Sequence, residues 1–209
     1  MKKSLVLAAL SLALAGCVSL GGKNDAPAVV YYVLGDAAGA PKEAVPQRAD
    51  VLQGGEAHVP TLLVLDTAAG SFYDTDQLVF SRSAGTRGQY QFARWTERPG
   101  KRFAELMRTR LDRQGAYRVA AAGGHVRGDL LLDSELVEFY HDASSQPGQV
   151  RLVLRVELVD LKQRTLLGKR VFEQQVPLAS YDAAGAAQAS SVAVGRALDE
   201  LTAWLATRR

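Results

Sequence analysis

Apolar residues recur along this chain with two periods. In the second half Val150, Leu152, Leu154, Val156 and Leu158 occupy every other position. That is the period of a strand with one buried face. Leu130 to Tyr140 predicts a long strand before it, with Pro147-Gly148 in the turn between. Leu166 to Val176 predicts the next strand, after the polar turn Asp160 to Thr165, and Pro177 ends it. This spacing predicts an antiparallel meander. The second period is helical. Ala187, Ser191, Val194, Leu198, Leu201 and Leu205 recur at steps of four and three, which predicts a helix from about Asp182 to Ala206 packed on a sheet. A coiled-coil seam is the other reading of such a stripe, but the repeat is short and partly Ala and Ser. Phe103, Leu106, Met107 and Leu111 form a second stripe on a helix of about four turns. Thr96 is placed to cap it, Pro99 is tolerated in its first turn, and Gly115 suits its end.

The first half is less regular. Val29 to Leu34 is β-branched and aromatic and predicts a strand. Residues 35–59 are rich in Gly, Pro and Ala and predict a long loop. Thr61 to Asp66 is a nearly continuous apolar run, which suits a central strand covered on both faces. Gln77 to Ser81 and Gln89 to Arg94 predict a hairpin, with Gly85 and Gly88 at its turn. Strands, a helix, more strands and a final helix add up to an α+β domain over residues 29–209. Its expected form is an antiparallel-rich sheet with two long helices packed on one face.

The N-terminus changes the picture from a domain to an exported, anchored one. Met1-Lys2-Lys3 is a short positive segment, Ser4 to Ala15 is apolar, and Leu14-Ala15-Gly16-Cys17 ends it with small residues. This is the anatomy of a secretory signal. The run is too short for a membrane-spanning helix, which needs about 20 residues. The Leu-Ala-Gly-Cys end resembles the lipobox of bacterial lipoproteins. That resemblance implies cleavage after residue 16, acylation of Cys17 by palmitate-type chains, and a lipid-anchored mature protein. An ordinary secretory signal with a chance cysteine is the alternative, but Cys17 is the only cysteine in the chain. A lone cysteine forms no internal disulfide, so the mature fold relies on its core. Residues 18–28 read as a flexible tether. Val18 stands where inner-membrane lipoproteins of enterobacteria often carry Asp, which favours the outer membrane by resemblance to that sorting rule.

Charge adds little at first. The chain holds 25 basic and 22 acidic side chains, but residues 1–16 carry two of the lysines and no acid. The remainder is nearly neutral and gives no reason to expect nucleic acid as a partner. Arg82, Arg87, Arg94, Arg98, Lys101, Arg102, Arg108, Arg110 and Arg113 nonetheless crowd together. They form either a solvated helix face or a patch for anionic lipid or an acidic partner. Catalytic patterns are scarce. His58, His125 and His141 stand at no metal-ligand spacing, and there is no nucleophile elbow or phosphate-cradling loop. Asp74 and Asp76 lack the rest of a calcium loop. No metal or cofactor is expected. His141-Asp142 reads as a solvated strand end, and a hydrolase would need these two and a serine to converge in a surface pocket. Tyr73, in a polar loop, is the best aromatic candidate for an exposed contact, although packing within its turn is the favoured reading.

Four blocks carry a family resemblance. They are Tyr31-Tyr32-Val33-Leu34, the run Tyr73 to Phe80, Arg94-Trp95-Thr96-Glu97-Arg98-Pro99 with the helix behind it, and the closing helix with Trp204-Leu205. In order and spacing they resemble the ABC-type transport auxiliary lipoproteins, the PqiC-like family, across residues 30–206. The resemblance implies a non-enzymatic envelope lipoprotein on the periplasmic face of the outer membrane. It implies partnership with an MCE-domain protein of an ABC-type system that moves lipids between membranes. Tyr73, Trp95 and Arg98 are the candidate partner contacts, while fixing the strand-to-helix corner is the other reading of Trp95 and Pro99. A homo-oligomer stays open, as does a structural or assembly lipoprotein without a transport role.

Overall fold

The structure, a computed structural model, describes residues 27–37 and 59–208. Cys17, most of the tether and most of the 35–59 loop lie outside the described residues. In chain order the described elements are β1 (Val30–Tyr32), β2 (Thr61–Val64), β3 (Ala68–Ala69), β4 (Gln77–Ser81) and β5 (Gly88–Trp95). Then come α1 (Pro99–Gln114), β6 (Arg118–Ala121), β7 (Leu130–Asp142), β8 (Gln149–Asp160), β9 (Thr165–Pro177) and α2 (Ala183–Ala206).

The meander forms as its period demands. β7, β8 and β9 pair antiparallel along nearly their whole length. Val150, Leu152, Leu154, Val156 and Leu158 are each fully buried. The β7–β8 register slips between Leu136 and Glu138. This bulge moves the inward-facing set of β7 from Leu132, Ser134 and Leu136 to Phe139 and His141.

The rest of the sheet corrects the expectation of an antiparallel-rich one, because it is mixed. β2, β3 and β4 line up end to end along the free edge of β7, and all three run parallel to it. β6 lies parallel beside β2, and β1 lies parallel beside β5. Parallel partners come from distant stretches of chain, so no turn signal announces them. β3 and β6 escape prediction for a related reason: they are short, rich in Ala, and show no two-residue alternation. β2 is an interior strand, but only Leu62 and Val64 are fully buried, while Thr61 and Leu63 are half-buried. One of its faces is therefore partly open, contrary to expectation.

The helices follow their stripes. Phe103, Met107 and Leu111 of α1 are buried, with Leu106 packed beside them. The cap position is Arg98 rather than Thr96, and Pro99 takes the first turn. Gly100 lies so close to Thr67 that an added Cβ would stand 2.4 Å from its carbonyl oxygen. Gly115 ends the helix with φ 66°. α2 is capped by Asp182, whose Oδ1 accepts from the Gly185 amide at 2.7 Å. Val194, Leu198, Leu201, Trp204 and Leu205 face inward. The two helices touch, and their apolar stripes merge with the inner side of the sheet into one buried cluster.

Candidate functional site

The fold brings together two of the blocks that stood out in the sequence. Residues 70–76 turn back at the head of β4, with the Tyr73 and Asp74 amides both donating to Gly70 O. The Trp95–Pro99 corner between β5 and α1 lies against this turn. Arg98 Nη1 and Asp74 Oδ2 pair at 3.3 Å with both side chains more than half exposed. Trp95 is 3% exposed and stacks on Phe139 with ring centroids 5.9 Å apart. Tyr73 is 9% exposed, and its hydroxyl accepts from Arg87 Nε at 2.9 Å. Arg87 in turn lies 3.8 Å over the Tyr140 ring and 3.8 Å from Glu138. Tyr73 and Trp95 are therefore core residues that hold the corner, and burial leaves them no surface for a partner in this fold. Of the three candidate contacts, Arg98 alone is exposed.

The run of basic residues is dispersed by the same packing. Arg98 pairs with Asp74, Lys101 with Glu97, Arg102 with Glu105, and Arg108 with Asp66. Arg110 is the most buried of these, 11% exposed, and grips Asp36 with a bidentate contact at 2.6–3.0 Å while also pairing with Asp199. Glu97 and Glu105 are local partners, but Asp36, Asp66, Asp74 and Asp199 lie far away in sequence. A stretch that looks strongly basic is thus largely neutralised once folded. Two of these cations also fasten the chain after β1. Arg102 Nε donates to Leu34 O at 3.0 Å, and Arg110 holds Asp36. The Gly35 amide donates to Ser191 Oγ of α2 at 3.1 Å.

A cleft of about 290 Å³ opens over β4, β5 and the end of β7, lined by Phe80, Arg82, Tyr90, His141 and Tyr181 with Gln89 and Gln91. A second bulge builds it. Pairing of β4 with β5 jumps from Gln77↔Arg94 to Val79↔Gln89, which re-aims Tyr90. Arg94 Nη1 closes the bulge by donating to the Tyr90 and Ala93 carbonyls. Tyr90 then meets Phe80 edge-on and hydrogen-bonds through its hydroxyl to His141 Nδ1 at 2.7 Å. Gly148 has φ 78°, and a Cβ there would stand 2.5 Å from His141 Nε2, so glycine is required.

His141 is 2% exposed, not the solvated strand end its sequence position suggests. Burial lowers its pKa; Asp142, the Pro147 backbone and Asp182 oppose the shift without reversing it. Burial likewise pushes the Tyr90 phenol up to about 12. Both groups are neutral at pH 7, so the cleft offers aromatic faces and hydrogen bonds rather than a proton at hand. Sequence reasoning missed this cluster. Its one signal was that His141 lies two residues beyond Phe139, on the same side of the strand.

The arrangement a hydrolase would need is not assembled. His141 and Asp142 are strand neighbours and point to opposite faces. Asp142 Oδ1 accepts from the Ser144 amide at 3.2 Å and hydroxyl at 2.7 Å, and the hydroxyl contact is the main cause of its lowered pKa. The serine thus contacts the carboxylate, while the imidazole contacts Tyr90. Among the described residues no group of His, Cys, Asp and Glu could hold a metal ion, and no helix is long and apolar enough to cross a membrane.

Comparison with known proteins supplies the context. The family model of the ABC-type transport auxiliary lipoprotein component matches residues 43–202. A protein from Xanthomonas campestris, known from its crystal structure, is 21% identical, with 70% of this chain and 83% of that one covered at a TM-score of 0.65. An uncharacterised protein of known crystal structure is 13% identical, with 85% of this chain and 99% of that one covered at 0.64. These likenesses establish the fold. No curated protein matches the chain.

Proposed function

The chain belongs to the ABC-type transport auxiliary lipoprotein family, and from that membership we propose that it is a non-enzymatic accessory subunit of an MCE/ABC-type system moving lipids between membranes. In this reading Cys17 is acylated, residues 17–28 are the tether, and the domain stands on the periplasmic face of the outer membrane. The observation that carries the proposal is the family match, which spans most of the domain. The lipobox-like Leu14-Ala15-Gly16-Cys17 supports the anchor, and Val18 supports the outer membrane. The docking contact is the corner of the 70–76 turn and the Trp95–Pro99 segment. There Arg98 and Asp74 offer an exposed charge pair on a base fixed by buried Trp95 and Tyr73.

The test is purification from detergent-solubilised envelopes after mild crosslinking, read by mass spectrometry. Recovery of an MCE-domain protein supports the proposal. Its consistent absence, in the presence of the intact transporter, contradicts it.

A further inference from the structure

We propose that the edge of the sheet formed by β1 is a membrane-contact strip, seated at the headgroup level of the bilayer that holds the lipidated N-terminus. The inference rests on the acylation of Cys17 proposed above.

The segment Pro27 to Gly35 contains no charged residue. Within it Val29, Val30, Tyr31 and Val33 are 42%, 48%, 62% and 63% exposed. In the parallel pairing Val30 lies opposite Ala93 and Tyr31 opposite Arg94. Phe92, itself 38% exposed, shares the face of Arg94 and Tyr31 and continues the strip on the neighbouring strand, while Val30, opposite buried Ala93, flanks it from the other face at the free edge. Of the other large exposed apolar residues, Val126 lies in the loop before β7, and Leu166, Leu167 and Val171 lie on β9, which carries Lys169 and Arg170 among them.

Chain length decides the occupant. Val29 is twelve residues beyond Cys17, and twelve residues span at most about 43 Å. A lipid on Cys17 keeps the strip within that distance of the bilayer at all times. Tethering raises the effective concentration of such a surface to the millimolar range. A contact too weak to hold a free protein is then well populated. The chemistry also fits an interface. Valine favours the apolar side, and tyrosine places its ring and hydroxyl at the headgroup boundary. An edge strand carries unpaired backbone groups, which keeps it out of the hydrocarbon and fixes the depth at the hydrated boundary. A protein strand added to this edge is the weaker fit. β1 is three residues long and offers few backbone bonds.

The test uses the mature, acylated, full-length protein in vesicles of phosphatidylethanolamine and phosphatidylglycerol. Once lipid blocks Cys17, Tyr31→Cys supplies the one free thiol for an environment-sensitive fluorophore. Lys162→Cys labels the remote β8–β9 turn as a control. The expected result is blue-shifted emission and weakened iodide quenching at 31, with no change at 162. Adding Val30→Ser and Val33→Ser, with the circular dichroism spectrum unchanged, should abolish the shift. The mass of the N-terminal peptide reports acylation separately. A missing acyl mass removes the anchor reading and this inference with it. An acylated protein whose label is quenched equally at 31 and 162 overturns this inference alone. So does protection at 31 that persists without vesicles and grows with protein concentration, since a second copy would then cover the edge.

Discussion

The two halves of the sheet are held together by different means. β7, β8, β9 and α2 pack long antiparallel ladders and a helix over a largely apolar face, and the ladder contacts lie close in sequence. The other half is a set of short strands laid parallel along one edge of β7 and tied by charges far apart in sequence. Burial of continuous apolar area dominates in the first half. In the second, polar fasteners share the work: Arg110 with Asp36, Arg102 with Leu34 O, and the buried Thr67–Ser134 hydroxyl pair at 2.8 Å. The lesson is that a robust meander can carry an irregular layer, and that the features distinctive of this chain lie on the irregular layer. The Arg98 corner, the β5 bulge and the β1 edge all belong to it.

Substitutions can break this contrast, beginning with the largest effect. Leu154→Ala removes a fully buried side chain from the centre of β8 and should cost about 3 kcal/mol. Denaturant unfolding should show one cooperative transition moved to lower concentration, because the meander underlies the whole fold. Arg110→Met strips Asp36 of a partner in a site 11% exposed. The cost should be roughly 2 kcal/mol, less than for a fully buried pair. Hydrogen exchange should speed up at residues 34–37 while β8 stays protected. Equal acceleration in both places would mean the two halves are not distinct.

His141 yields a pH dependence. Its folded pKa lies below the unfolded 6.5, so between the two values the unfolded chain binds the extra proton. Stability is full above about pH 6.5 and is lost as pH falls through that window, with a slope no steeper than about 1.4 kcal/mol per pH unit. In His141→Gln this slope should vanish, and pH-resolved denaturation checks it. Glu157→Gln should matter least. Its partner Lys169 is half exposed, and such pairs contribute under about 1 kcal/mol. A loss above that would show that surface charge holds the meander too.

Legibility in the sequence follows the same division. The β8 alternation, the α2 stripe and the Gly115 stop could be read directly, because period and cap chemistry are local. The parallel seating of β2, β3 and β4 could not, since it joins stretches some seventy residues apart with no intervening turn signal. The bulge after Leu136 was equally invisible, and it decides that His141 faces inward. At the candidate site, the sequence blocks at 73–80 and 94–99 come together in one corner, where burial gives Tyr73 and Trp95 a packing role. Large aromatics look like contacts in a polar context, yet Tyr73 and Trp95 are what the corner is built on. The basic run could be read either as a solvated face or as a patch, because its counter-charges at Asp36, Asp66, Asp74 and Asp199 arrive from elsewhere in the chain.

In the proposed function the domain docks a transport partner through its irregular layer. A photo-crosslinking amino acid placed at 98 in living cells, with a second strain carrying it at 162, tests that claim most directly. The account predicts an adduct with an MCE-domain protein from position 98 and none from 162. Adducts with that protein from 162 alone, or from neither position while the transporter is expressed, would contradict it.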